Sequence, residues 1–598
     1  MVELNGTSDG PPSFLLHVDY LIIGTGPAGG ALAAFMASYG MKGLIVSQDP
    51  SNADTPRAHI TNMPALDCLR DIGLDKECYK AGTQNDSMLH TRWSNTMAGQ
   101  EYGRIYSWGN DPKRKGEYEL ASPSKMLDLP QTLLEPVLMR YATLNGFNCR
   151  WDTEFVSFEQ DEKGVTTTLL DKLSKTTFQV RSKYLFGADG ARSKIVQQAE
   201  IPLIRRPGQG FAVNVLIEAD MSHLMEHRKG NLHWIVQPNL ETPEWSWIGC
   251  MRMVKPWYEW LCIIFPTPNA PREVRSNEEY MKRVREMIGD DSVEVKILGV
   301  SSWAINEIAA EYYSKGNVFC LGDAVHRHPP NHGLGSNTCI QDAHNLAWKV
   351  NYVDKGLAGR ELLESYSIER QPVGLDVVTQ ANDTLRNHRN IWEALGNIEP
   401  TVEARMKAHD EIYADSPEGS TRREKLAKAF RENDKEEHGL GVEMNQRYVS
   451  SAVYQADQGP TPAFTRNPLQ HYHPTTYPGA RLPHVWLGNH TPSKYISTID
   501  LAGKGQFTLF TGIGGQHWKK AAEQLSSELG GVPIKAYSIG YGLDYKDVYL
   551  DWAGIRGVEE SGCVLVRPDY FVAWRSPEWE EDSPLKLKQV LKSVLSLR

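Results

Sequence analysis

Cysteine is scarce in this chain of 598 residues, and its spacing excludes two kinds of site. The eight cysteines are scattered, and no two of them form a C-x-x-C pair. The sequence therefore contains neither a zinc-knuckle pattern nor a dithiol redox motif. Dispersed cysteines of this kind are typical of a reducing compartment, so we expect a cytoplasmic protein.

Long apolar runs and blocks of basic residues are also absent. The run from Leu21 to Met36 contains four glycines and Pro27, so it is too short and too broken to cross a bilayer. The first twenty residues lack a basic region and include two prolines, which is not the pattern of a signal peptide. The net charge is −10, and an acidic chain without a basic block binds nucleic acid poorly. We expect neither a membrane nor a nucleic-acid partner.

The composition is that of an ordinary globular protein. Hydrophobic residues make up 40% of the chain and charged residues 23%, which excludes wholesale disorder. At about 100–200 residues per domain, the length predicts three or four domains.

A strand, a glycine-rich turn and a helix follow one another early in the chain. The apolar run 20–23 is followed by Gly24-Thr25-Gly26-Pro27-Ala28-Gly29 and then by helix-forming residues. In such a turn the glycines permit a tight bend, a close approach of the backbone to a pyrophosphate, and packing of helix on strand. The acid that normally binds the ribose is missing, because Ser47 and Gln48 close the second strand. This segment alone also fits a βαβ unit that binds no nucleotide.

Two later strands each run into a turn with an aspartate. The strand 184–187 leads to Asp189, and the strand 318–321 leads to Asp323. The second is followed by a glycine-rich loop that contains Gly335 and Asn337 and opens a helix. This arrangement suits a ribityl hydroxyl held by Asp323, with a flavin ring against the helix N–H groups near Gly335 and Asn337.

Together the three motifs resemble those of the single-component FAD-dependent aromatic hydroxylases, the class A flavoprotein monooxygenases. The closer resemblance, to the branch of phenol hydroxylase and 2,4-dichlorophenol hydroxylase, rests on three segments: Thr55-Pro56-Arg57-Ala58-His59-Ile60-Thr61-Asn62, Arg327-His328-Pro329-Pro330 and Gly333-Leu334-Gly335-Ser336-Asn337-Thr338. It covers nearly the whole chain. Three positions depart from the family pattern: Ser47 replaces the ribose acid, and Val196 and Asn317 stand where arginines are usual. The last two put the usual route of NAD(P)H docking in question.

The resemblance implies an α/β fold with three parts. A para-hydroxybenzoate hydroxylase-like FAD-binding domain of Rossmann type is interleaved with an antiparallel-sheet substrate domain, and a thioredoxin-like C-terminal domain follows. The expected ranges are 15–95, 125–200 and 300–400 for FAD binding, 96–124 and 201–299 for the substrate domain, 401–474 for a helical linker, and 475–598 for the last domain. The charged stretch 403–437 predicts helices with a solvated face. Cys563 is the only cysteine of the last domain, so a structural or oligomerisation role is expected there.

The resemblance also assigns residues to a non-covalently bound FAD. The expected contacts are Gly24, Thr25, Gly26, Pro27, Ala28 and Gly29 with the pyrophosphate, Ser47 and Gln48 with the ribose, Arg57 and Gln131 with the flavin or its phosphates, Asp323 with the ribityl chain, and Asp189 with both FAD and the nicotinamide. A surface ion pair is the alternative for Arg57.

Three residues are candidates for catalysis. His59 would face the substrate pocket as the base that deprotonates a phenol, and the Pro330 carbonyl would flank the flavin carbon that binds oxygen. Asp220 is a second candidate base by its position in the substrate segment, although it fits a cap at a strand end equally well. A buried core histidine is the alternative for His59. His326, His328 and His332 lack a coherent set of further ligands, so no metal site is expected.

The resemblance implies a reaction as well. NAD(P)H reduces FAD and leaves, and O2 then hydroxylates a small phenolic substrate ortho to its hydroxyl through a flavin C4a-hydroperoxide. A homodimer is expected by analogy only. Two other classes stay open: a flavin monooxygenase with another outcome, such as epoxidation or oxidative decarboxylation, and a non-catalytic binding protein on the same fold. The motifs at Asp189 and Asp323 argue against the second.

The motifs predict FAD that is bound tightly but without a covalent bond, because the sequence contains no attachment signal. Acid precipitation of the purified protein should release all of the yellow colour. Absorbance spectra of pellet and supernatant measure this, and colour that stays with the pellet would contradict the prediction.

Overall fold

The computed structural model describes residues 2–4, 14–489, 491 and 493–598. Within these ranges the strands, in chain order, are β1 (Val2–Leu4), β2 (Phe14–His17), β3 (Tyr20–Ile23), β4 (Gly43–Val46), β5 (Ile60–Thr61), β6 (His90–Ser94), β7 (Glu101–Tyr106), β8 (Leu127–Asp128), β9 (Phe147–Arg150), β10 (Thr153–Asp161), β11 (Gly164–Asp171), β12 (Thr176–Ser182), β13 (Tyr184–Gly187), β14 (Leu203–Arg206), β15 (Phe211–Glu218), β16 (Leu232–Ile235), β17 (Ile248–Lys255), β18 (Glu259–Phe265), β19 (Lys296–Ala304), β20 (Glu307–Ala310), β21 (Ser314–Lys315), β22 (Val318–Cys320), β23 (His326–Arg327), β24 (Trp486–Gly488), β25 (Ile496–Ser497), β26 (Phe507–Thr511), β27 (Ile534–Ser538), β28 (Lys546–Asp547), β29 (Cys563–Val566) and β30 (Val572–Ser576).

The α-helices of the same ranges are α1 (Pro27–Ser38), α2 (Met63–Asp71), α3 (Asp75–Ala81), α4 (Lys115–Ala121), α5 (Gln131–Leu144), α6 (Lys194–Gln198), α7 (Ser222–Met225), α8 (Asn277–Ile288), α9 (Gly335–Asp354), α10 (Glu364–Ala394), α11 (Val402–Asp410), α12 (Pro417–Glu437), α13 (Leu440–Met444), α14 (Thr498–Leu501), α15 (Gln516–Glu528), α16 (Asp551–Ile555) and α17 (Ser583–Val594).

A six-stranded sheet forms the centre of the region that carries the glycine turn. Its order is β21-β22-β13-β3-β4-β9, and every pair except β21–β22 is parallel. Strands β3, β4 and β13 are buried at every residue, as expected for a parallel sheet covered on both faces. Because the strands run in parallel, the C-terminal ends of β3, β13 and β22 meet at one edge. This confirms the expected α/β arrangement and brings the three sequence motifs together.

Helix α1 packs closely in this region. All of its residues from Ala28 to Ala37 are buried, and α5 and α9 both pack on it. Small residues dominate the start of the helix, which lets the neighbouring backbones come near. A five-stranded sheet of order β1-β2-β12-β11-β10 stands beside the main sheet, joined to it through the connections β2–β3 and β12–β13.

A larger sheet of seven strands has the order β19-β15-β18-β17-β16-β6-β7. All of its pairs are antiparallel except β6–β16, which is parallel. The strands β15 to β19 pair with one another only antiparallel, as expected, and the addition of β6 makes the whole sheet mixed. Strand β6 comes from the first FAD-binding segment expected from the sequence, and it reaches β16 through a long connection. Only long connections allow a parallel pair.

The two faces of this sheet have different cover. One face packs against α8 through Met251, Cys262 and their neighbours. The opposite face carries Trp93, Trp234 and Cys250 and packs against α10 and α12. Since side chains alternate along a strand, Thr91 and Arg252 lie on this second face.

The charged stretch 403–437 forms helices with the expected solvated face, but the end of α12 is buried, which the sequence did not indicate. Helix α12 packs along α10, and its last residues, Glu436 and Glu437, are buried. Glu436 accepts a hydrogen bond from Asn331 Nδ2 at 2.8 Å, and His388 Nε2 lies 2.6 Å from its other oxygen. Local composition cannot predict this burial, because both partners come from distant parts of the chain.

The C-terminal region, residues 475–598, contains a four-stranded sheet of order β27-β26-β29-β30. The pair β26–β27 is parallel, and the other two pairs are antiparallel. Helices α15 and α17 share a core with this sheet and with Trp348 and Tyr352 of α9. Helix α9 therefore contributes to the core of the C-terminal region and also to the core around the six-stranded sheet. In the ranges that the structure describes, no helix has both the length and the apolar character needed to span a bilayer.

Cys563 is fully buried in β29, and burial raises the pKa of its thiol, so the group should be unreactive. Cys563→Ala is expected to leave turnover and FAD content unchanged. The lost packing should lower the free energy of unfolding by about 1–2 kcal/mol. Steady-state turnover and denaturant unfolding measure the two effects. A large fall in turnover would contradict a structural role.

Candidate active site

The turn between β3 and α1 is packed so tightly that only glycine fits at two positions. Gly24 has φ +106°, and a Cβ there would lie 2.1 Å from Ala188 O. A Cβ on Gly29 would lie 1.9 Å from Gly24 O. The Gly24 N–H donates to Val46 O at 2.8 Å. The turn is thus fixed against both neighbouring strands.

The start of α1 fits a pyrophosphate. Gly26 precedes the helix, Pro27 is its first residue, and no side chain in the described ranges caps it. Thr25 and Ala28 are buried beside it. The N–H groups of an uncapped first turn and the positive end of the helix dipole attract anions. The glycine turn leaves no room for a Cβ at Gly24 or Gly29, and the first turn of α1 has no side-chain cap in the described ranges. These two features together fit the phosphates of FAD.

Ser47 and Gln48 differ in exposure at the end of β4. Ser47 is buried, and its Oγ accepts a hydrogen bond from the Asp49 N–H at 3.2 Å. Gln48 is exposed, and its carbonyl accepts a hydrogen bond from Lys172 Nζ at 2.8 Å. Of the two residues expected at the ribose, Ser47 is the one enclosed by the protein.

A buried carboxylate that no sequence motif announces lies next to the turn. Glu135 on α5 is 3% exposed, and its Oε1 is 3.9 Å from the position of a Cβ on Gly26. This oxygen accepts a hydrogen bond from Gln131 Nε2 at 2.5 Å, and Oε2 accepts one from the Ala53 N–H at 2.7 Å. Burial raises the pKa of Glu135, and the charge of the exposed Arg57 partly offsets this. Glu135 therefore joins Gln131 to the loop at Ala53 next to the glycine turn, within electrostatic reach of Arg57.

The two aspartate turns lie side by side. Strands β13 and β22 are parallel neighbours, and the short 3-10 turns that follow them are in contact. Asp189 Oδ2 accepts a hydrogen bond from the Ile195 N–H at 3.2 Å, whereas its buried Oδ1 has no partner in the described ranges. Burial raises the pKa of Asp189. Asp323 is exposed at the same edge. A buried oxygen with no partner in the described part of the chain and an exposed carboxylate fit the polar chain of FAD.

The Asn337 side chain joins two segments of the chain, which is compatible with the expected flavin contact through backbone N–H groups. It is buried, its Nδ2 donates to Ile60 O at 2.8 Å, and its Oδ1 accepts from the Asn62 N–H at 3.0 Å. The side chain thus ties the strand that follows His59 to the glycine-rich loop. Because both ends of the amide are engaged, any contact of this residue with a flavin falls to its backbone.

The loop before α9 runs from Pro330, which is exposed, to Gly335, the first residue of the helix. The Pro330 carbonyl accepts a hydrogen bond from the Gly333 N–H at 3.0 Å. The three histidines near this loop have separate surroundings. Nε2 of His326 lies 2.8 Å from Asp342 Oδ2, Nδ1 of His328 lies 2.7 Å from Pro329 O, and burial lowers the pKa of His332 to about 4. Among the described residues, no group of three or more potential ligands could hold a metal ion.

His59 is buried with both ring nitrogens unpaired among the described residues. Its Nδ1 lies 3.7 Å from Asp128 Oδ1, too far for a hydrogen bond. Burial and the charge of Arg252 lower the pKa of His59, and Asp128 opposes them. The ring is therefore neutral near pH 7, and one nitrogen is available to accept a proton.

Asp128 anchors the polar network behind His59. Its Oδ2 accepts hydrogen bonds from Arg252 Nη1 and from Asn231 Nδ2, both at 2.8 Å. Burial alone would raise the pKa of Asp128, but Arg252 and His59 lower it below its ordinary value. Asn231 Oδ1 accepts a hydrogen bond from Trp108 Nε1 at 3.1 Å. No local sequence pattern marks these residues, because each pair joins segments about 100 residues apart or more.

Asp220 is not part of this network. It is exposed, and its Oδ1 accepts hydrogen bonds from the Ser222 N–H at 2.9 Å and from Ser222 Oγ at 2.6 Å. It therefore caps the turn into α7. The suggestion of Asp220 as a base is corrected: an exposed carboxylate with a pKa lowered by these hydrogen bonds is a weak base.

Two surface clefts, of about 480 and 350 Å³, lie elsewhere. The first is lined by Tyr39, Tyr352, Lys504 and their neighbours, and the second by Asp19, Arg181 and theirs. Neither borders His59 or the glycine turn.

Comparisons with known proteins agree with this geometry. Residues 17–381 match a family model described as an FAD binding domain, and residues 475–596 match one described as the C-terminal domain of aromatic-ring hydroxylases. Over 98% of its length the chain is 41% identical to 2,4-dichlorophenol 6-monooxygenase of Delftia acidovorans, of which 99% is covered. Over 98% of its length it is 40% identical to phenol 2-monooxygenase of Pseudomonas sp. (strain EST1001), of which 94% is covered.

A solved structure is similar over the same extent. The crystal structure of the flavin-dependent monooxygenase PieE in complex with FAD and substrate superimposes with a TM-score of 0.92 and 40% identity. The match covers 98% of this chain and 100% of that one.

Gly29→Ala should weaken FAD binding, because the new Cβ would lie 1.9 Å from Gly24 O and would push the turn out of place. Overpacking of this kind costs about 1–3 kcal/mol, or roughly 5- to 150-fold in affinity. Gly30→Ala is the matched control, since its Cβ meets nothing nearer than 3.3 Å. Flavin fluorescence titration of the two apoproteins measures the difference. Equal affinities would contradict the role of the turn.

Proposed function

Because this chain belongs to the family of FAD-binding aromatic-ring hydroxylases, we propose that it hydroxylates a phenolic substrate at the position next to the hydroxyl group. It is an FAD-dependent flavoprotein monooxygenase, with NAD(P)H as transient co-substrate. The phenolic substrate is supported by the relatives named for phenol and 2,4-dichlorophenol. The observation that carries the proposal is the buried His59, whose ring nitrogens have no hydrogen-bond partner among the described residues and whose neighbour is the carboxylate of Asp128.

When bound, FAD supplies the redox chemistry that activates O2 for transfer to the ring. The groups proposed to hold it are the backbone of the glycine turn, Ser47, Gln131 with Glu135, and the turns at Asp189 and Asp323. Each fits by its position at one edge of the six-stranded sheet. Pro330 and Gly335 bound the loop proposed to lie against the flavin ring.

His59 is proposed to take the proton of the substrate hydroxyl. A phenolate is far more nucleophilic at its ortho carbon than the neutral phenol, so a base near neutrality speeds the attack. The neutral ring of His59 has a nitrogen free to accept this proton, and the carboxylate of Asp128 stabilises the imidazolium that results. Arg252 opposes that charge and therefore favours release of the proton once the product has formed.

An apolar cluster next to His59 supports an aromatic substrate. It comprises Ile60, Met63, Met88, Trp108, Tyr118, Ala121, Met126, Leu440 and Met444. Four of these are methionines, which adapt to rings of different shape. The cluster adjoins the polar network through Trp108, which donates to Asn231. An apolar surround also keeps water from the reacting groups.

Three finer features are proposed with this function. The C-terminal region is thioredoxin-like, supported by its mixed four-stranded sheet with helices α15 and α17, and its single buried cysteine suits a structural role. The protein is a homodimer, supported by family analogy alone. It is cytoplasmic, supported by eight cysteines that are all free.

Oxygen consumption with a panel of phenols and NADH or NADPH, followed by mass and NMR analysis of the product, tests the function. We expect uptake of O2 that depends on the phenol and a product heavier by one oxygen atom. A product formed by epoxidation or by loss of carbon dioxide would overturn the hydroxylase assignment while leaving FAD binding intact.

His59→Asn should bind FAD normally but hydroxylate about a hundredfold more slowly, the lower end of the range for a lost general base. More of the consumed O2 should appear as hydrogen peroxide, because the neutral phenol reacts too slowly. A phenol already ionised at the assay pH should rescue the variant. In the wild type the rate should fall as pH decreases through the His59 pKa, which lies below 6.5, because the protonated ring cannot accept a proton.

His484→Asn is the matched control. His484 is also buried, and its Nδ1 lies 2.7 Å from Ser497 Oγ in the C-terminal region. It should lose stability without a change in peroxide yield. If His59→Asn behaves in the same way as this control, His59 is a core histidine and the base is another group.

A further inference from the structure

A network of buried charges lies between the C-terminal region and the edge of the six-stranded sheet. Its charged members are Asp342 and Lys349 on α9, Glu369 and Arg370 on α10, and Arg567 and Asp569 in the C-terminal region. Each is at most 2% exposed. Three positive and three negative groups balance, as a buried cluster requires.

The first half of the network joins the C-terminal region to α10. Arg567 donates to both oxygens of Glu369, at 2.5 and 2.8 Å, and also to both oxygens of Asp569. Lys349 Nζ donates to Glu369 Oε2 at 2.7 Å. Glu369 is thus the acceptor that Arg567 and Lys349 share.

The second half joins α10 to the turn that carries Asp323. Arg370 Nε donates to Asp342 Oδ1 at 2.7 Å. The other oxygen, Oδ2, accepts from the Gly322 N–H at 3.2 Å and lies 2.8 Å from His326 Nε2. Gly322 has φ +65°, and a Cβ there would lie 2.7 Å from Ala28 Cβ. The Asp342 carboxylate therefore fixes the Gly322–Asp323 turn by a hydrogen bond, and Ala28 of α1 restricts the space beside Gly322.

Tyr448 touches both halves. Its hydroxyl accepts a hydrogen bond from Arg370 Nη1 at 2.9 Å. Its ring stacks on Phe571, with 3.9 Å between centroids, and lies 5.4 Å from the guanidinium carbon of Arg567. The consecutive residues Glu369 and Arg370 connect the halves along the helix as well.

Such a network is stable only when it is complete. Each buried charge has given up its hydration, so loss of one partner leaves another charge unpaired in the interior. The geometry at Gly322 is therefore sensitive to whether Arg567 and Tyr448 are in place.

We propose that the C-terminal region positions the Gly322–Asp323 turn for FAD through this network, so that its docking and FAD binding are coupled. The coupling rests on the proposed place of Asp323 in the FAD site, and it does not depend on the substrate. Tyr448, Arg370 and Asp342 are positioning residues that act on the cofactor through the turn. By thermodynamic reciprocity, FAD stabilises the packing of the C-terminal region to the same extent.

Tyr448→Phe tests the proposal because it removes the acceptor hydroxyl and keeps the stacked ring. We expect FAD to bind about fivefold or more weakly to the apoprotein, the lower end of typical coupling between sites. Tyr352→Phe is the matched control. Its hydroxyl donates to Gly505 O at 3.0 Å and also joins α9 to the C-terminal region, but outside the network. Fluorescence titration with FAD and thermal unfolding of each apoprotein are measured together.

Hydrogen exchange on the wild type supplies an independent readout. Adding FAD to the apoprotein should slow exchange in Cys563–Val566, and Tyr448→Phe should reduce that protection. If both tyrosine variants lose stability equally and neither loses FAD affinity, the network is only structural and the proposal fails. It also fails if FAD leaves the exchange of β29 in the wild type unchanged.

Asp323→Ala separates this failure from failure of the site itself. If Asp323→Ala loses FAD while Tyr448→Phe and hydrogen exchange show no coupling, the FAD site stands and the role of the C-terminal region is wrong. If Asp323→Ala retains full flavin occupancy, the turn is not part of the FAD site and both assignments fall.

Discussion

One buried ion pair determines how the two main regions of the molecule meet. Asp128 lies in the short sheet formed by β5 and β8, next to the glycine-rich loop, and Arg252 lies in the seven-stranded sheet. Their atoms are 2.8 Å apart, and both side chains are almost inaccessible to water. Neither can lose the other without leaving a charge in the interior. The position of His59, one residue before β5, follows from this contact, and so does the apolar cluster that begins with Ile60.

Much of the cofactor site follows from the sequence because its motifs lie at strand ends. Parallel strands put their C-terminal ends at one edge, so turns that are almost 300 residues apart in the chain become neighbours. The glycines at 24 and 29 were predictable in the same way, since their spacing reflects a steric requirement that the structure repeats. His59 was predictable only through the resemblance to a family, because a single histidine carries no local signal.

The residues that sequence could not reveal all depend on distant pairing. Asp128 acquires its role from Arg252, and Glu135 from the loop at Ala53, and neither pair has a fixed spacing. Position in the segment alone suggests Asp220 as a base, whereas Ser222, two residues later, accounts for this carboxylate as the acceptor of a local turn. The parallel placement of β6 and the burial of Glu436 were hidden for the same reason: periodicity reports which face of an element is apolar, not which other element covers it.

The order of strands in the six-stranded sheet has a consequence for synthesis on the ribosome. β3 is near the start of the chain, but β22, which completes the edge with Asp323, is translated about 300 residues later. At roughly 5–20 residues per second, that interval is about 15–60 s. Until β22 has been made, the glycine turn lacks the Asp323 turn at the same edge of the sheet. The apolar strand β13, translated partway through this interval, lacks its outer neighbour. The last buried arginine, Arg567, emerges later still, so Glu369 gains this partner only when translation is nearly over. Strand pairing over such sequence separations forms slowly, and until the last strands arrive the open strand edges favour aggregation.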